Sequence, residues 1–289
     1  MESCALAHHL PRMSQSDTVD VFELRYTKAE LAAAPEAERQ FYLMATGLAN
    51  DIQILLRQYV IALKQHDEDE ARRNASSTIA MLNLRLLAGR FQEGWVLVEK
   101  HWPGLDTAYR SMLSPKGGAA LDELHTYFAV KESDNVVYMI RNKIGFHSDY
   151  KFTRKMFNQT PDETEMVDYI GQALGDTLFF GSEVTHYAAL RDLTGEADDV
   201  AAFGAVMDEL RTLQNLFLTF VHAYVAVFAT RNLASQYAVI RSHRRTITDL
   251  PALNDHRIPY FADFSANAAA AQAAKSADAN GTTGSEEVD

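Results

Sequence analysis

A single cysteine, Cys4, occurs in 289 residues, so no internal disulfide can form and packing has to hold the fold. That usage fits a reducing cytoplasm, the expected location. No group of His, Cys, Asp or Glu has metal-ligand spacing, and no glycine-rich phosphate loop is present. Neither a metal nor an organic cofactor is therefore expected. Long hydrophobic runs are also missing. The longest, 216–229, is interrupted by His222 and falls short of the roughly 20 residues that cross a bilayer. It reads as a buried helix of a soluble protein, with no membrane partner. Glu2 and the lack of an apolar stretch in the first residues argue against a signal peptide. Positive charge is scarce too, with 27 Lys and Arg against 39 Asp and Glu and a net charge of -12. Such a surface repels nucleic acid on average, so binding RNA or DNA would need a locally basic spot.

What is present is helical periodicity. With 47% hydrophobic residues and no internal repeats, the chain can bury a sizeable core, and its pattern predicts an all-α antiparallel bundle of long amphipathic helices. Residues 1–26 lack periodicity and read as an irregular arm. The helical domain spans 27–245, an extended segment at 246–264 packs on it, and a disordered Ala/Ser/Gly-rich tail occupies 265–289.

Thr27-Lys28-Ala29-Glu30 matches a capping box. From 36 to 64, Phe41, Met44, Leu48, Ile52, Leu55, Tyr59 and Leu63 recur at steps of three and four, one stripe of a long helix. The acidic run at 66–70 reads as a solvated turn. A second helix is predicted over 71–102 on the seam Met81, Leu84, Ala88, Phe91, Trp95, Val98 and Trp102, ended by Pro103-Gly104. Pro115-Lys116-Gly117-Gly118 reads as a loop before a short helix at 119–130. The next helix is expected to start at Ser133 as N-cap with Asp134 in its first turn. Thr160-Pro161-Asp162-Glu163 predicts another helix start. Residues 176–181 read as a short strand or an extended loop, with a short strand pair near 176–182 as one outcome. A long helix over 198–231 and a further one over 233–243 complete the domain.

One stretch carries chemistry. Val136-Val137-Tyr138-Met139-Ile140-Arg141-Asn142-Lys143-Ile144-Gly145-Phe146-His147 places an arginine, an asparagine and a histidine in an otherwise apolar helix. Arginine stabilises phosphate charge and histidine moves protons near neutral pH. On an ideal α-helix Ile140 and His147 share a face with Val137 and Ile144, while Arg141 and His147 lie about 120° apart. A second copy of the helix across a two-fold axis would close that gap. Gly145 costs about 1 kcal/mol inside a helix relative to Ala, and clears space between the two groups. The surroundings are locally basic: Arg141, Lys143, Lys151, Arg154 and Lys155 stand against Asp149.

Arg141-Asn142-Lys143-Ile144-Gly145-Phe146-His147 resembles the signature of the HEPN superfamily: arginine, a polar residue, a short spacer, then histidine. The apolar approach and Ser148-Asp149-Tyr150 resemble its abortive-infection U-type branch. The resemblance implies a metal-independent endoribonuclease of toxin or phage-defence type, a homodimer through the motif helix, and an antitoxin protein as a further partner. His147 would be the general base or acid, Arg141 would stabilise the transition state, and Asn142 would orient the histidine or the phosphate. Lys143, Lys151, Arg154 and Lys155 would bind RNA. Products would be a 2′,3′-cyclic phosphate and a 5′-hydroxyl. Some relatives carry a modifiable tyrosine two places after the histidine. Here Asp149 takes that place and Tyr150 follows it.

The remaining candidates are bland. His222 reads as a hydrogen-bonded core histidine, His66 as part of the acidic turn, and His125 and His186 as histidines near aromatics without visible partners. Trp95 and Trp102 read as core, and Cys4 has no histidine partner. The competing functions are a non-catalytic helical interaction or scaffold module and a helical effector-binding domain.

Overall fold

The computed structural model describes residues 18–63, 69–145, 149–171, 174–252 and 255–261. His147, Cys4, His66, most of the N-terminal arm and the tail lie outside them. The chain runs β1 (Val19–Phe22), α1 (Lys28–Ala32), α2 (Glu36–Leu63), α3 (Glu70–His101), α4 (Pro103–Tyr109), α5 (Pro115–Phe128), α6 (Val136–Met139), α7 (Tyr150–Gln159), α8 (Gly181–Thr194), α9 (Asp199–Asn232), α10 (Ala234–Ala238) and β2 (Arg244–Ile247). It is an all-α bundle with one short antiparallel strand pair, Val19 opposite Ile247 and Phe22 opposite Arg244. That pair ties the end of the expected irregular arm to the residues after α10. Near 176–182, where a short strand or an extended loop was expected and a strand pair was one outcome, an antiparallel bridge joins Tyr169 and Leu178.

The long helices form where the apolar stripes run. The α2 stripe buries Phe41, Leu48, Ile52 and Tyr59, while Met44 and Leu63 at its edge are exposed. α3 pairs with α2 and buries Met81, Leu84, Leu87, Ala88, Phe91 and Val98. α9 is the central strut, packed against α2, α3, α5 and α8. It is long enough, and over one window apolar enough, to cross a membrane by length and composition, a test that the core helix of a bundle also passes. Phe217, Phe220, Tyr224 and Phe228 of α9 are buried, the last three against Phe41, Trp102 and Tyr42; Tyr42 stacks on Phe228 at 4.3 Å. Burying aromatics of this size contributes about 2–3 kcal/mol each.

Close approach to α9 depends on glycine at two points. A Cβ on Gly94 would sit 2.6 Å from Phe217, and one on Gly117 2.2 Å from Ala223. Gly117 explains why Pro115-Lys116-Gly117-Gly118 is not a loop. Ser114 caps its amide, Pro115 fills the first helical position, and the tetrapeptide is the first turn of α5. Pro103 likewise opens α4 while α3 ends at His101.

At the far end of the bundle, buried Glu38 accepts from Tyr109 Oη and from Asn232 Nδ2 at 2.9 Å. The Tyr224 hydroxyl donates to the Glu38 carbonyl at 2.8 Å. These bonds join α2, α4 and α9 through a satisfied polar core.

The region between α5 and α9 departs most from expectation. Thr160 ends α7 as its C-cap rather than starting a helix: its amide donates to the Met156 and Phe157 carbonyls, and Pro161 follows. A residue before proline avoids the helical region, so Thr-Pro suits a helix end as well as a start. A 3-10 turn, Leu174–Asp176, gives way to a loop over 177–180 that carries the Leu178 bridge, the loop alternative of the two expected, and leads into α8, whose start has no side-chain cap. The C-terminal segment lies on the body where described: the Tyr260 hydroxyl donates to the Thr177 carbonyl at 2.8 Å.

Candidate functional site

The motif does not sit on a regular α-helix. A 3-10 turn, Glu132–Asp134, precedes Asn135, whose carboxamide oxygen accepts from the Tyr138 amide at 2.9 Å. Asn135, not Ser133, is the cap. It is buried and its Nδ2 also reaches the Tyr127 carbonyl, which fixes where the helix begins. After one α-helical turn the chain widens into a π-helical turn, Ile140–Gly145. Bonds in such a turn span five residues, so the angular step is smaller than in an α-helix and the 120° separation does not carry over. Val137, Ile140 and Ile144 are buried, as their shared face requires, and seat the turn on α3.

Arg141 and Asn142 stand at the rim of this seat. Arg141 Nη2 pairs with Glu93 Oε1 of α3 at 3.0 Å, and its Nη1 donates to Asn142 Oδ1 at 3.1 Å. Its side chain keeps 31% exposure. Asn142 is also bonded to Tyr138, whose phenol is raised chiefly by its bond to the Glu132 carboxylate. Arg141 forms one wall of a groove of about 650 Å³ along α2 and α3, with Asp51, Ile54, Leu55, Arg90 and Glu93. Arg90 is paired with Asp51 at 3.1 Å.

The basic neighbourhood is less positive in space than in sequence. Lys143 binds Asp149 at 2.7 Å and Lys155 binds Asp192 of α8 at 2.7 Å. Counting Glu93 and Asp192, five cations face three carboxylates rather than one. Lys151 and Arg154 project exposed from α7, without an ion pair among the described residues. Asp149 caps α7 through the Phe152 amide; Lys143, then that amide, hold its carboxyl below the usual range. Tyr150 beside it is 78% exposed.

The space beside Gly145 does not open toward Arg141. A Cβ there would lie 3.5 Å from Arg85 Cβ and 3.7 Å from the Arg85 carbonyl oxygen. Arg85 belongs to a cluster that the sequence reading missed. His186 Nδ1 lies 2.9 Å from Glu183 Oε2, and Arg85 Nη2 lies 3.7 Å from Glu183 Oε1. Arg85 Nη1 is 3.5 Å from His186 Nδ1 and 3.4 Å from Nε2. A nitrogen equidistant from both ring nitrogens at that separation must lie over the ring face, since in the ring plane it would collide with the intervening carbon. The contact is therefore a stack rather than a hydrogen bond. Glu183 is 4% exposed, and Arg85 Nε is buried without a hydrogen-bond partner among the described residues. The signal was Glu183-Val184-Thr185-His186, an i, i+3 pair that faces one way only if a helix is recognised there.

His186 thus has a partner, against expectation. His222 is exposed on α9 rather than a core residue, and His125 lies edge-on to Trp95 at 4.9 Å. Trp95 and Trp102 are buried. No group of three metal-binding side chains occurs among the described residues. No protein-family model, curated protein or solved structure matches the chain.

Proposed function

We propose that the protein is a HEPN-like, metal-independent endoribonuclease of toxin or phage-defence type, working as a homodimer through the motif segment. The observation that carries this reading is Arg141: a guanidinium held by Asn142 on a widened turn, at the wall of a groove, within a sequence that resembles the family signature. π-Helical turns recur at functional sites because they re-aim side chains that a regular helix would bury. In the proposed reaction the ribose 2′-oxygen attacks the adjacent phosphorus as its proton passes to a base. The bond to the 5′-oxygen breaks, and that oxygen takes up a proton. Arg141 neutralises charge on the phosphoryl oxygens and His147 carries one of the protons. Asn142 keeps the guanidinium aimed, and Lys143, Lys151, Arg154 and Lys155 track the RNA backbone. Glu93 has to release Arg141 for phosphate to bind, which gives an antitoxin protein a pair to stabilise.

The test is cleavage of a synthetic RNA by the full-length protein in the presence of a chelator. Wild type should yield 2′,3′-cyclic phosphate and 5′-hydroxyl ends, and Arg141→Ala and His147→Ala should each lose about 100-fold or more. Retention of wild-type activity in both would reject the reading.

The second reading, a non-catalytic helical interaction module, is favoured by two features. Glu93 already neutralises Arg141, and exposed Leu43, Met44, Ile54 and Val96 line the same α2–α3 face. It predicts no cleavage by wild type.

A further inference from the structure

We propose that the outer face of α7 is a stacking platform for single-stranded RNA, with Tyr150 and Phe157 as its flat surfaces and Arg154 between them for phosphate. The inference deepens the nuclease reading and rests on it for the choice of RNA as the strand. The inner side of α7 packs Phe152 and the buried Met156 on the core. The opposite side of such a helix ordinarily carries polar groups. Here it carries two rings. Tyr150 is 78% exposed and Phe157 56%, and Tyr150 is the most exposed large apolar side chain among the described residues. Positions 150, 154 and 157 fall within about 60° of one another around the axis, so ring, guanidinium and ring line one face. About 10 Å of rise separates the two aromatics, the height of roughly three stacking steps of about 3.4 Å. Two bases fill that interval.

The charges around the face favour that occupant. A nucleotide strand alternates flat rings with anions, and this face alternates flat rings with a cation. Arg154, and Lys151 at its border, are exposed without an ion pair among the described residues, in a chain of net charge -12. Two carboxylates beside the helix are already neutralised, Asp149 by Lys143 and Asp192 by Lys155. Past the C-terminal end of α7 come the exposed Asp162, Glu163 and Glu165. They repel a phosphate backbone, so the strand is led from Phe157 over Tyr150 toward the motif turn. Lys143 of that turn is tied to Asp149 at the start of α7, which makes the platform continuous with the candidate site. A duplex keeps its bases stacked inside and offers these rings nothing.

The experiment measures fluorescence anisotropy of a short, unstructured, labelled RNA with full-length His147→Ala protein, so that cleavage does not consume the probe. Tyr150→Ala and Phe157→Ala should each weaken binding about fivefold or more. Phe157→Leu, which stays apolar but loses the ring, should match Phe157→Ala, while Phe157→Trp should bind as the parent does. Arg154→Gln and Lys151→Gln should each lower the slope of log affinity against log salt by about 0.7. The same sequence as a duplex, and an abasic strand of equal length, should bind about tenfold more weakly or worse. Unchanged affinity in the ring variants, equal binding of the abasic strand, or no binding of the single strand by the parent would overturn the proposal. Vesicles of phosphatidylserine and phosphatidylcholine form a second arm. Sedimentation of the protein with them, lost in Phe157→Ala and kept in Phe157→Leu, would make the face a membrane contact and overturn it as well. If the parent binds RNA through the rings but protein with His147 intact cleaves none, the nuclease reading fails and the platform stands. If that protein cleaves while the ring variants bind like the parent, the platform alone fails.

Discussion

Two arginines, Arg141 on the motif turn and Arg85 on α3, are held in opposite ways. Arg141 is partly exposed, pairs with a more exposed Glu93 and borders a groove. Arg85 is largely buried, pairs with a buried Glu183 and stacks on His186. A surface pair contributes little and can exchange partners. A buried pair resists removal of either member, because the survivor is left as an uncompensated charge. The difference leaves Arg141 free to exchange its partner and Arg85 fixed in place.

The comparison can be broken by substitution, and the largest effect is expected at Glu183. Glu183→Ala should lower stability by about 3–5 kcal/mol in denaturant unfolding. A loss under about 1 kcal/mol would mean the cluster is not a coupled buried unit. Glu93→Ala should cost no more than about 1 kcal/mol, since both members of that pair reach solvent, and should strengthen binding of inorganic phosphate or RNA by releasing Arg141. Weaker binding in that variant would show that Glu93 aims the guanidinium rather than occupying it.

A third carboxylate sharpens the contrast. Glu209 is half-buried and bonded to the Tyr127 hydroxyl, and burial, its dominant influence, raises its carboxyl. A carboxyl raised on folding adds stability below its unfolded value and loses it as pH climbs through the folded value. Glu209→Gln should therefore raise stability slightly near neutral pH and remove that part of the slope. Thermal melts from pH 4 to pH 7 would check it; a less stable variant at neutral pH would mean that the charged form is the one the fold favours.

The long helices were legible because a stripe repeated over many turns leaves little ambiguity. The expected 36–64 and 198–231 helices agree with Glu36–Leu63 and Asp199–Asn232 to within a residue or so, and Asp198 caps the latter. The stretch around the candidate site was harder, because its signals are local and two-sided. Proline suits both a first helical turn, as at Pro115, and the step after a helix end, as at Pro161. Ser133 and Asn135 are equally good caps on paper, and Asn135 is the one buried against Tyr127. The widening at Ile140–Gly145 leaves no trace in so short a pattern. Arg141 and Asn142 were found from the motif, whereas Glu183 and His186 were not, because α8 begins without a capping side chain and so gave no start signal.

The most direct test of the account is expression of wild type, Arg141→Ala and His147→Ala in a bacterial host, with RNA ends mapped in each culture. The account predicts growth arrest and new 2′,3′-cyclic phosphate ends with wild type alone, and circular dichroism of the purified variants matching wild type. Equal arrest by all three, or arrest by wild type without new ends, would contradict it.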